Sequence, residues 1–158
     1  MHTAPASLVL VHSLLRYVVL LFTVIVALQS LMGMIGKKEF TGANRKMALF
    51  MMISCDVQLL IGLAVYITGG FMGMSKTGFP DVDHYNRFYG MEHPASMIVA
   101  IILIHLAYFT AKKSIDSVRK YKRMFWYSFI ALMLFMAMIP WPGRLVVGKP
   151  LAVAATHR

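Results

Sequence analysis

Four stretches of this chain are apolar for long enough to fill a bilayer, and they leave few folds open. A spanning helix needs about 20 mostly apolar residues to cross roughly 30 Å of hydrocarbon. The runs cover about residues 8–35, 47–71, 94–111 and 124–141. Arg16 is the only charge in the first run and Asp56 the only charge in the second. The third is uncharged apart from any proton on His105, and the fourth has no ionisable side chain except Tyr127. Lipid cannot satisfy exposed backbone groups, so all four runs must be helical. The expected fold is an all-α membrane protein, a four-transmembrane-helix up-down bundle. It forms a single integral membrane domain over 1–158, with helices at about 8–35, 47–71, 92–113 and 123–141. The first run has no basic residue before Arg16 and exceeds a normal signal-peptide core, so it reads as a retained first helix.

Composition agrees. Of the 158 residues, 59% are hydrophobic and 14% charged, against about 45–50% and 25% in soluble domains. A disordered chain would be rich in charge and poor in aromatics. Cys55 is the sole cysteine, which excludes an internal disulfide and reads as an inert buried thiol.

The formal net charge of +10 would suggest nucleic acid in a soluble protein. Its distribution points elsewhere. Lys37, Lys38, Arg45 and Lys46 lie between the first two runs. Lys112, Lys113, Arg119, Lys120, Lys122 and Arg123 lie between the last two. The positive-inside rule puts both links in the cytoplasm, with both termini and the 72–92 loop outside. Nucleic acid is then not a partner; the lipid bilayer is. Gly73, Gly78, Pro80 and Gly90 punctuate the long loop, which is expected to fold over the outer mouth of the bundle. Trp126, Tyr127 and Trp141 suit an interfacial aromatic belt.

Ionisable groups inside spans cost about 2.5–3.5 kcal/mol each, so they are site candidates by default. At about 1.5 Å per residue they sort by depth. The outer layer holds His12, His93, Glu92 and Arg144, with Arg16 just beneath. The inner layer holds Asp56, Gln58 and His105. His12, Arg16, Thr23 and Ser30 share a stripe that should face the bundle. Asp56 and Gln58 point about 160° apart, so they cannot both face its centre.

Two histidines at similar depth on different helices can supply the axial ligands of a b-type haem. Arg16 and Arg144 suit its propionates, and Glu92 could orient His93 as an acceptor. Each residue also has a purely structural reading. The two histidines can be interfacial side chains bonded to backbone or headgroups. Arg16 can pair with Asp56 or reach outward to the interface. Gln58 can join helices. Asp56 with His105 can be a buried hydrogen bond, a proton relay or a second cofactor site. Met133, Met136 and Met138 read as packing or lipid-facing residues. Asp81, Asp83 and His84 read as a solvated turn unless a further metal ligand joins them. Gly62, Ala64, Gly69 and Gly70 permit close helix contact, within the chain or in an oligomer. No nucleophile or acid–base pair for covalent catalysis is visible.

His12-Ser13-Leu14-Leu15-Arg16-Tyr17 resembles the H-S-x-x-R-[YW] opening of a group of small bacterial inner-membrane proteins described as cytochrome b-like. The stretches at 56–63 (DVQLLIGL), 92–94 (EHP) and 139–144 (IPWPGR) are similar to it as well, in the same order. The resemblance implies a haem-binding protein of the bacterial inner membrane with His12 and His93 as ligands. Electrons would pass near the periplasmic face, to or from a quinone or a redox partner protein. Familiar cytochromes b carry two pairs of in-span histidines, and this chain lacks the second. Two other functions are open: a cofactor-free structural or assembly subunit of a membrane complex, and a small proton-relay or transport component using Asp56 and His105.

Overall fold

The computed structural model describes residues 4–71 and 87–141. Those residues form four α-helices: α1 (Ala6–Ile35), α2 (Gly42–Thr68), α3 (His93–Lys112) and α4 (Ser117–Met138). A π-helical turn, Phe88–Glu92, leads directly into α3. There is no strand among the described residues.

Helix starts follow local chemistry. α2 begins earlier than its apolar run because Thr41 and Asn44 cap it reciprocally. The Thr41 hydroxyl accepts from the Asn44 backbone N–H, and the Asn44 side chain accepts from the Thr41 N–H, satisfying donors that a helix start leaves open. Asp116 caps α4 by accepting from the Arg119 N–H at 3.0 Å. The π turn brings Gly90 into helical structure, although the sequence reads it as loop. The rest of that loop, including Asp81, Asp83 and His84, lies outside the described residues.

α3 packs along α4, and α1 packs along both α2 and α4. Its buried positions Val19, Thr23, Val26, Ser30 and Gly33 recur three or four apart, forming one stripe. Thr23 and Ser30 are buried as the stripe requires. The Thr23 hydroxyl donates to the Val19 carbonyl at 2.7 Å, so it does not cross the core unsatisfied. Gly33 has no side chain because the Tyr121 ring of α4 lies directly on its backbone. α2 and α3 meet along much less of their length than the other neighbouring pairs.

Three helices are long and apolar enough to cross a membrane: Ala6–Ile35, Gly42–Thr68 and Phe88–Lys112. α4 is not, which corrects the expectation of a fourth span over 123–141. Its start is charged (Arg119, Lys120, Lys122 and Arg123), and the helix ends at Met138, short of Trp141. Between them lie about 15 apolar residues, roughly 22 Å of helix. Lipid-sized apolar surface is nonetheless plentiful: Leu10, Leu14, Leu21, Leu60, Leu63, Ile102 and Met136 are among many large exposed hydrophobics, as expected where lipid is the solvent.

Candidate functional site

His12 and His93 come together. Their rings lie 6.4 Å apart, centre to centre, nearly perpendicular at 78°. Three features fix them. On α2, Gln58, Gly62 and Tyr66 recur every fourth residue and so share one stripe. Gly62 faces the His12 ring so closely that a Cβ would stand 2.8 Å from its Cε1. Gln58 Nε2 donates to the His12 backbone carbonyl at 2.9 Å and lies 3.4 Å from His12 Nε2. Across the bundle, His93 Nδ1–H donates to the Met138 carbonyl at 2.9 Å, where α4 ends and carbonyls lack helical partners.

The Met138 bond fills the orienting role expected of Glu92. Glu92 instead pairs with Arg87 at 2.9 Å. An aromatic wall closes the site above His93. Phe88 and Tyr89 stand 5.9 and 6.4 Å from its ring, and Phe71 links Tyr89 to Tyr66. The Tyr66 hydroxyl donates to the Gly90 carbonyl at 3.0 Å, anchoring the π turn to α2.

Both histidines face a cavity of about 460 Å³ between the helices, lined also by Ser13, Arg16, Gln58, Tyr66, Met97 and Phe135. That volume is in the range of pockets for cofactors and drug-sized ligands, roughly 300–1,000 Å³. Three buried polar atoms around it have no hydrogen-bond partner among the described residues: His12 Nδ1, Arg16 Nε and Gln58 Oε1. Buried polar groups are normally paired, because leaving one bare costs about 1–3 kcal/mol. Their concentration in one cavity is the arrangement a polar ligand would complete.

Arg16 does not pair with Asp56. Its NH2 group donates to the Tyr17 hydroxyl at 3.0 Å, and its guanidinium lies 4.9 Å from the Tyr17 ring centre and 5.7 Å from that of Trp141. Asp56 bonds His105 Nε2 at 3.3 Å on the α2–α3 seam. Gln58 therefore joins the histidine layer and Asp56 stays with His105, as their opposed directions on α2 require. Arg144 lies outside the described residues. Cys55 is buried and free. Met133 and Met136 are exposed, on the surface a lipid-facing residue would occupy.

Sequence reasoning missed the Met138 carbonyl and the aromatic wall. A backbone acceptor leaves no trace in residue type. Tyr66 did carry a signal, since it stands four residues from Gly62 and eight from Gln58. Among the described residues, no three His, Cys, Asp or Glu side chains converge on a point that could hold a metal ion. No family model, curated protein or solved structure matches the chain.

Proposed function

We propose that the chain is an integral membrane protein that binds one b-type haem between His12 and His93 and passes electrons near the periplasmic face of a bacterial inner membrane. The basic links would face the cytoplasm, and the histidine end, with both termini, would lie outside. The carrying observation is that two imidazoles from different helices line one cavity with their ring centres 6.4 Å apart. His12 and His93 would hold the haem iron, which imidazole commonly ligates.

The remaining residues fit the same group. The cavity is walled mainly by apolar side chains, as a macrocycle needs. His12 Nδ1 has no hydrogen-bond partner among the described residues. The Met138 carbonyl holds the proton of His93 on Nδ1, which leaves Nε2 bare for a metal. The Arg16 guanidinium, with no carboxylate partner among the described residues, can take a propionate. Haem, when bound, supplies the one-electron chemistry. The protein fixes the imidazoles, screens the site behind Phe71, Phe88 and Tyr89, and places a positive charge beside it.

Haemin titrated into haem-free protein tests the binding step. The Soret band should shift and saturate at one equivalent per chain for the wild type and for His105→Ala. His12→Ala and His93→Ala should give no saturable shift. Equal titrations in all four proteins would contradict the assignment.

A further inference from the structure

α4 has two unlike faces. Tyr121, Met124, Ser128, Ala131 and Phe135 are buried against the bundle. On the opposite stripe, Arg119, Lys122, Arg123, Trp126, Ile130 and Met133 recur at helical spacing, and all are exposed except for none of the buried set. From the basic end, the stripe is cationic for one turn, aromatic at Trp126 and apolar beyond it. Phe125 and Phe129 flank the indole, with ring centres 5.3 and 6.2 Å from it. Arg123 to Met133 covers about 15 Å of helix, half of the roughly 30 Å of hydrocarbon in a bilayer. The histidine cavity uses none of these residues.

The cations stand where a membrane makes charge costly. The Tyr121 ring lies on Gly33 of α1, so Lys122 and Arg123, the next residues of α4, are level with that turn. α1 stays uncharged on to Ile35, with Met32 56% and Ile35 71% exposed. The two cations are therefore attached roughly 5 Å inside the apolar band of the neighbouring helix. Arg119 pairs with Asp116 at 3.0 Å. Lys122 and Arg123 have no carboxylate partner among the described residues. Long basic side chains so placed run outward to the interface with their stems on apolar surface. The anion at that height in a phospholipid bilayer is the lipid phosphate.

We propose that the exposed stripe of α4 binds an anionic phospholipid of the leaflet at the basic end. Lys122 and Arg123 take the phosphate oxygens, Trp126 lies at the glycerol level, and Ile130 and Met133 lie along an acyl chain. Lys and Arg clusters beside spanning helices recognise anionic headgroups by the same charge attraction. A zwitterionic headgroup adds a cation, and the stripe carries no carboxylate to meet it. An acidic soluble protein would match the cations and leave the apolar half uncovered. A second copy meeting this stripe in the same membrane orientation would set like charges at one height, which repel. The inference stands or falls separately from haem binding.

The test is tryptophan quenching by lipids with dibrominated acyl chains, in the full chain reconstituted into vesicles. Trp141→Phe leaves Trp126 as the only tryptophan. Dibrominated phosphatidylcholine diluted in unbrominated phosphatidylcholine should quench Trp126 in proportion to its mole fraction. Dibrominated phosphatidylglycerol in the same diluent should quench as though enriched at least about fivefold, the worth of one cation beside an anionic lipid. Lys122→Gln/Arg123→Gln, a change of exposed side chains, should bring the enrichment to about unity. Lys37→Gln/Lys38→Gln removes the same charge from the α1–α2 link and should keep it. No enrichment in the wild-type stripe, or enrichment undiminished by Lys122→Gln/Arg123→Gln, would overturn the proposal. So would equal loss in the two double variants, the mark of general surface attraction. Absence of quenching by either lipid would overturn it too, because the stripe would then be covered by protein.

Discussion

Gly62 and Arg16 separate a cofactor site from a structural polar network most clearly, because each is explained badly by packing alone. Gly62 leaves just enough room for the His12 ring, and a methyl group would stand 2.8 Å from Cε1. Gly62→Ala should therefore displace the imidazole and lower haem occupancy several-fold, while far-UV circular dichroism stays unchanged. Arg16 carries a charge with no acidic partner among the described residues and a buried Nε left bare. Such a group destabilises the protein without its ligand. Arg16→Leu should leave the unfolding midpoint of haem-free protein unchanged or higher, yet weaken haem retention. A fall in both would mark Arg16 as a structural residue.

At the scale of the helices, the basic end is held by contacts between α1, α2 and α4. The Tyr121 hydroxyl reaches the Glu39 carbonyl at 3.0 Å and Asn44 Oδ1 at 3.1 Å, and its ring lies on Gly33. Tyr121→Phe should cost about 1 kcal/mol in unfolding measurements in micelles, the usual worth of one hydrogen bond. Gly33→Ala should cost more, about 1–3 kcal/mol, because backbone and ring must separate. The helices themselves were legible because the apolar runs of α1, α2 and α3 are long. α4 was misread for a physical reason. Its apolar residues are bounded by Lys122 and Arg123 at one end and by a helix stop at Met138 at the other. Capping also moved the start of α2 to Gly42, since Thr41 and Asn44 lie outside the hydrophobic signal. At the site, depth counting alone paired His12 with His93. It put Gln58 in the wrong layer, because depth ignores direction. The Met138 carbonyl had no residue-level signal at all.

In the whole molecule, three apolar helices and a charged-start fourth surround a histidine cavity. Most of the positive charge gathers at the opposite end from the histidines. This arrangement predicts that cysteines introduced at Lys38 and Lys113 react with a membrane-impermeant maleimide from the same side of the membrane. Labelling from opposite sides would refute the topology. The central question is whether His12 and His93 hold an iron. The most direct measurement is the reduced-minus-oxidised visible spectrum of protein purified gently from haem-replete membranes. A Soret band and a b-type α band, lost in His12→Ala and His93→Ala and kept in His105→Ala, is the predicted result. A colourless wild-type protein, correctly folded by circular dichroism, would contradict it.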